Sequence, residues 1–160
     1  MQRTKEIGVF VDGVSRYFAQ FADSQEALER DLVIGAPYLI DASTNLSFRY
    51  NGVISVTGDV RGVVVFTASS VLLKYILLSL AEPEISEFLI KDLVGEIANT
   101  IAGNARRELG SSFHISPPRV HRDKINVDLS SFGRRSFVLP IQWRKNSARL
   151  IVGLGKEGAV

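Results

Sequence analysis

The run GEIANTIAGN places a carboxylate, Glu96, three residues before an amide, Asn99. On a helix that spacing makes the two side chains surface neighbours. An amide suits the holding of a water molecule: its carbonyl accepts while its NH₂ donates elsewhere. It does so without bringing a negative charge. A carboxylate beside it can anchor a cation. A pair of this kind works by orientation and electrostatics rather than by covalent attack. The plain alternative is a solvated helix face, where Glu and Asn are common. The pair by itself does not decide between the two.

The segment that must position the pair reads as one long helix, about 84–109. Pro83 stands at its mouth, and Glu84 and Glu87 lie in its first turn, as suits a helix start. On a helical wheel Ile90, Leu93, Val94, Ile97, Ala98, Ile101 and Ala105 form a core face. Phe88, Asp92, Gly95, Glu96, Asn99, Gly103 and Arg106 fall on the opposite, solvent side. Each Gly there costs about 1 kcal/mol of helix propensity relative to Ala, and no core packing demand explains it. Gly95 and Gly103 flank the pair and strip the ridge of bulk, so another backbone can approach closely. Asn104 falls at the edge of the core face, where local hydrogen bonding is its expected role.

The other elements follow from periodicity. Residues 5–22 carry apolar side chains at helical spacing. GAPYLIDA reads as a short strand. RYNGVISVTGDVRGVVVFTAS reads as two strands around a Gly58–Asp59 turn. Residues 69–80 form a short apolar helix. SFHISPPRVHR is extended and broken at Pro117–Pro118, and KINVDLSS is a further candidate strand. RSFVLPIQWRKNSARLIVGL reads as a hairpin turning near Lys145–Asn146–Ser147. Pro140 inside its first strand argues for an edge position or a bulge. The uncharged strand GVVVFT should be central or paired. Helix then strands, followed by helix then strands, is a duplication of topology without a duplication of residues. The fold class expected is α+β: an antiparallel sheet packed with two long helices.

The 160 residues fit one domain, 1–160, and 46% of them are hydrophobic, enough for a substantial core. There are no cysteines, so disulfides, thiolate metal sites and a thiol nucleophile are excluded. The N-terminus lacks the apolar run of a signal peptide, and no stretch is long enough to span a membrane. A cytoplasmic, soluble protein is expected. Net charge is +2, with the basic excess in residues 84–160. His114 and His121, seven apart with no third ligand near, make no metal site. Phosphate-loop and nucleophile-elbow patterns are missing. Arg134, Arg135, Arg144, Lys145 and Arg149 gather near one hairpin with Phe137 and Trp143, but alternation dilutes the charge too far for nucleic acid.

The run DLVGEIANTIAGNA resembles the signature of the CheC/CheX/FliY family of response-regulator phosphatases. The family pattern is Asp or Ser, three residues, Glu, two residues, Asn, then a downstream Pro. Here these are Asp92, Glu96 and Asn99, with Pro117 or Pro118. The IAGNA tail is similar to the CheX branch. The first helix, KEIGVFVDGVSRYFAQF, has no Glu-x-x-Asn pair, so one site is expected, as in CheX, whereas CheC has two. The interval from Asn99 to Pro117 is shorter than in the CheC branch. The resemblance implies a phosphorylated CheY-like receiver domain as substrate, with Mg²⁺ supplied by the receiver and no cofactor on this chain. It implies that Asn99 orients the attacking water and that Glu96 engages the receiver's lysine. Asp92, Gly95, Gly103 and Arg106 would serve docking. It also implies a homodimer formed through the sheets. The alternative within the same fold is a non-catalytic receiver-binding or flagellar-switch-like module.

Overall fold

The computed structural model describes residues 2–41, 46–110, 112–125 and 135–156. The first helix, α1 (Gln2–Ala19), begins and ends three residues before its expected bounds. A short helix α2 (Gln25–Asp31) follows, and sequence periodicity had not marked it. The Ser24 side chain caps it by accepting from the Ala27 N–H at 3.0 Å. Next come β1 (Leu32–Ile34), β2 (Tyr38–Asp41), β3 (Tyr50–Gly58) and β4 (Val60–Ala68). The turn between β3 and β4 falls at Gly58, whose φ of 109° suits glycine. The helices α3 (Ser70–Ser79) and α4 (Glu87–Leu109) precede β5 (Phe113–Ile115) and β6 (Arg119–Arg122). The hairpin β7 (Arg135–Trp143) and β8 (Asn146–Lys156) closes the chain.

Among the described residues all strand pairings are antiparallel, in one eight-stranded sheet of order β1-β7-β8-β4-β3-β5, with β2 also on β7 and β6 also on β3. The fold is therefore α+β, as the sequence implies. The duplication is visible in the ladder. Each half contributes a broken strand that crosses to pair with the other half: β1–β2 with β7, and β5–β6 with β3. The two breaks match. Gly35 to Pro37 are three residues spanning two on β7, and Ser116 to Pro118 are three spanning two on β3. Both are bulges carrying proline, where a missing N–H costs no ladder bond.

Three local expectations are corrected. β7 is an interior strand, so of the two positions expected for Pro140 the edge fails and the bulge holds, with the extra residue on the neighbouring β1–β2 chain. Its carbonyl accepts from the Gly35 N–H at 2.8 Å, at the bulge, and the donor that proline lacks would point into the same break. The β7–β8 turn is made by Arg144 and Lys145, both at positive φ (49° and 68°), one residue earlier than expected. That is the geometry of a two-residue hairpin turn matched to strand twist. The helix α4 starts at Glu87, three residues later than expected, because the Ser86 side chain accepts from the Leu89 N–H at 3.2 Å and caps it there. The candidate strand KINVDLSS lies outside the described residues from position 126 onward.

The strand GVVVFT is central, between β3 and β8. Its alternate residues serve two cores. Val64 and Phe66 face the helices, with Ile54, Phe137, Leu139, Leu150 and Val152 around them. Val63 and Val65 face the other way, with Val53, Val138 and Ile151. Burial on both faces explains a strand with no charge. At one end of the helical core Trp143 packs against Phe18 and Phe21 of the α1 region, with centroids 5.5 Å apart in each case.

Candidate active site

The helix α4 lies over β3, and the packing sets how the site is presented. Gly52 of β3 sits beneath Val94: a Cβ added at Gly52 would collide with the Val94 carbonyl oxygen and come within 3.0 Å of the Ala98 Cβ. Only glycine lets strand and helix backbones approach this closely. The same face of α4 buries Ile90, Leu93, Val94, Ile97, Ala98, Ile101 and Ala105, the core face read from the wheel. On one flank α1 approaches through Gly13, where an added Cβ would lie 3.5 Å from the Ile101 carbonyl oxygen and 3.9 Å from the Asn104 Cβ.

What remains outward is a stripe of Phe88, Asp92, Glu96, Asn99 and Arg106, all exposed. Among the described residues no hydrogen bond or ion pair holds the side chains of Asp92, Glu96, Asn99 or Arg106. Gly103 is half-buried, and a Cβ there would meet nothing within 4 Å. The ridge is thus bare at Gly103, as the sequence suggests. At Gly95 the expectation fails. Gly95 is buried, and a Cβ there would stand 3.1 Å from Val120 Cγ2 and 3.5 Å from Pro118 Cβ. The strand β6 and the Pro118 bulge cover its outward side. Gly95 serves helix–strand packing, and the wheel misplaced it because a wheel knows nothing of a strand folding back. The same contact gives Pro118 a role: it covers the flank of α4 at Gly95, the residue before Glu96 in sequence.

Two residues around the site are absent from the motif that marks Glu96 and Asn99. Tyr17 of α1 is 8% exposed. Burial pushes its phenol well above the usual range, and the nearby Glu96 carboxylate adds to the shift. Tyr17 is therefore neutral and close enough to feel the charge of Glu96. Asn51 of β3 is fully buried. Its Nδ2 donates to the carbonyls of His121 at 3.1 Å and Asp123 at 2.7 Å, which pins the end of β6 onto the sheet. Its Oδ1 has no partner. A short polar residue at a buried strand position is the signal that would have found it.

The electrostatics at the N-terminal end of α4 are organised by ion pairs. Arg122 of β6 meets Glu87 at 2.8 Å, Lys91 meets Glu87 at 4.0 Å, and Arg49 meets Asp123 at 2.6 Å. These pairs are solvent-exposed, so each contributes only modestly. They border a cavity of about 350 Å³ that neither Glu96 nor Asn99 lines. The pair sits on the exposed outer face of a helix. Such a face cannot enclose a small molecule, but it can enter a pocket on another macromolecule. No helix among the described residues is long and apolar enough to cross a membrane.

Comparison with known proteins bears on the fold and the family. The family model described as "Chemotaxis phosphatase CheX" matches residues 50–142, which include β3, β4, α3, α4, β5 and β6. No curated protein sequence matches the chain significantly. The fold is similar to the chemotaxis protein CheX from Desulfovibrio desulfuricans, at TM-score 0.73 and 19% identity over 94% of this chain and 99% of that one. It is similar to CheX from Borrelia burgdorferi, solved as a CheX–CheY–BeF₃–Mg²⁺ complex, at TM-score 0.71 and 17% identity over 94% and 97%. The middle domain of FliM from Helicobacter pylori shares it less closely, at TM-score 0.57 and 9% identity over 92% and 90%. At these identities the structures establish the fold, whereas the family match covers more than half of the sequence, and the chain belongs to the CheX family.

Proposed function

We propose that this chain hydrolyses the aspartyl phosphate of a CheY-like receiver domain, with Asn99 and Glu96 as its catalytic pair. The observation that carries the reading is the bare stripe on α4. An amide and a carboxylate stand exposed and without hydrogen-bond or ion-pair partners, one turn apart on the outer face of α4, which supports a role in contact with another protein. The Borrelia relative crystallised with CheY and a phosphoryl mimic supports the choice of partner.

An aspartyl phosphate is already activated, so the phosphatase has only to place a water in line with the scissile bond. The Asn99 carbonyl accepts from that water while its oxygen attacks phosphorus. The P–O bond to the aspartate breaks, the carboxylate leaves with the bonding electrons, and inorganic phosphate is released. Asn99 adds no charge beside the phosphoryl group, which a carboxylate at this position would do. Glu96 pairs with the receiver's lysine and fixes the register of the ridge. Asp92 and Arg106 flank the pair and orient docking, and Gly103 keeps the ridge low enough to enter. The Mg²⁺ of the reaction arrives with the receiver, and this chain contributes no metal ligand.

The same reading makes the protein a symmetric homodimer joined through its sheet, with α4 outside the interface. The free edge formed by β1 and β2 is the candidate surface. Val33, Tyr38 and Leu39 are exposed there, at the opposite edge from β6 and α4. Unpaired strand edges need cover, and pairing with a second copy supplies it.

The non-catalytic alternative draws on the likeness to the FliM middle domain. One experiment separates the two. Phosphorylated candidate receivers are mixed with wild-type protein and with Asn99→Ala. The catalytic reading expects accelerated dephosphorylation by wild type and a loss of roughly 10²-fold or more in the variant. No acceleration by wild type would leave a binding module, and equal acceleration by both proteins would remove Asn99 from the catalytic pair.

A further inference from the structure

Phe88 is the most exposed large apolar side chain among the described residues, at 77%. The catalytic reading above does not use it, and neither does the core. No described aromatic pair includes its ring. Phenylalanine is a poorer helix former than alanine, so propensity does not favour it on a solvent face either. An aromatic ring left in water by its own fold is the kind of residue enriched where a partner is to be bound.

Its position says which partner. Phe88 and Asn99 are eleven residues apart on one continuous helix, hence about 20° apart around the axis and about 16 Å along it. Asp92 and Glu96 lie between them on the same stripe. A standard interface covers about 800 Å² per partner, equivalent to a disc of about 16 Å radius. A protein centred between Glu96 and Asn99 over such an area reaches Phe88, about 14 Å away, inside its rim. The C-terminal end of the stripe offers only polar cover, with Arg106 exposed on it and Arg107 exposed beside it. The apolar contact is thus at one end, and it gives the ridge a direction. A second copy docked on Phe88 over the same area would cover Glu96, about 12 Å away, and so obstruct the site.

We propose that Phe88 is the apolar anchor for the phosphorylated receiver and sets the direction in which that receiver lies along α4. This rests on the receiver being the substrate of Glu96 and Asn99. Phe88 touches no reacting atom, so its role is affinity and orientation.

The test compares wild type, Phe88→Ala, Phe88→Leu and Asn99→Ala, all as the full chain. Binding is read against a beryllofluoride-activated receiver with Mg²⁺, and turnover against the phosphorylated one. Phe88→Ala should raise Kd and KM by roughly tenfold or more, as loss of an anchor does, with kcat and thermal midpoint nearly kept. Phe88→Leu should recover part of the affinity. Asn99→Ala should lose kcat and keep binding. Unchanged Kd and KM in Phe88→Ala, beside an inactive Asn99→Ala, would overturn the anchor and leave the catalytic reading standing. Wild type that binds without hydrolysing would sink the catalytic reading, and Kd would still decide the anchor. A dimeric wild type that becomes monomeric in Phe88→Ala would assign the ring to a second copy and overturn the proposal.

Discussion

Gly52 and Val94 meet backbone to backbone: the Val94 carbonyl oxygen occupies the place where a Cβ on Gly52 would stand. This contact sets the depth at which α4 lies on β3, two residues before Glu96. A methyl group at position 52 would have to displace the helix, because the obstacle is main chain. Gly52→Ala should therefore destabilise by about 2–3 kcal/mol, in the upper range for overpacked cores. In thermal unfolding that is a drop of roughly 5–10 °C. A midpoint within 1 °C or so of wild type would show that the helix rides higher than described.

Gly103 is the contrasting case. A Cβ there meets nothing within 4 Å, and the residue lies inside a helix. Gly103→Ala should stabilise the isolated protein by roughly 0.5–1 kcal/mol through helix propensity. If the ridge enters a receiver, the added methyl should also raise KM. Calorimetry and receiver kinetics on one variant read the two effects separately. A lowered melting point would mean that the position is covered.

Tyr17 predicts a pH dependence at the alkaline end. Its phenol is held above its ordinary value of 10.0 by burial first and by the Glu96 carboxylate second. A raised pKa in the folded state gives stability that is complete below the unfolded value. That stability is lost as pH rises through the folded one. Between pH 9 and 11 the wild type should therefore lose stability faster than Tyr17→Phe, which has no proton to release. Urea unfolding of both proteins across that range checks it, and parallel pH profiles would reject the burial of the hydroxyl.

The edge at β1 and β2 predicts the quaternary state. Light scattering should give a dimer mass at micromolar concentration. Leu39→Glu, which charges the exposed edge at a residue outside the helical core, should give a monomer with its thermal midpoint reduced only by the loss of assembly. A wild-type monomer would end the dimer proposal. A dimer that survives Leu39→Glu and Val33→Glu together would move the interface elsewhere.

How much was legible in the sequence depends on the range of the force involved. The strands β3 and β4 and their turn at Gly58 follow from alternating β-branched residues and one glycine, all local. The core face of α4 follows from its 3.6-residue period. The outward placement of Glu96, Asn99, Asp92 and Arg106 follows from the same period. What stayed hidden depends on residues far apart along the chain. α2 and β1 are too short for a periodic signal. Ser86, not Pro83, starts α4, because a hydroxyl placed to accept a backbone N–H outweighs a proline nearby. Pro140 is interior because the β1–β2 bulge, a hundred residues earlier, leaves a gap in the ladder opposite it. The sequence by itself determined the helix, its buried stripe and the pair that the stripe leaves outside. Only the tertiary structure decided which part of that outside is free. At Gly95, Pro118 and Val120 of β6 close the surface, while at Gly103 nothing does. Helical geometry is set by neighbours three and four residues away, but solvent is excluded by whichever strand folds back.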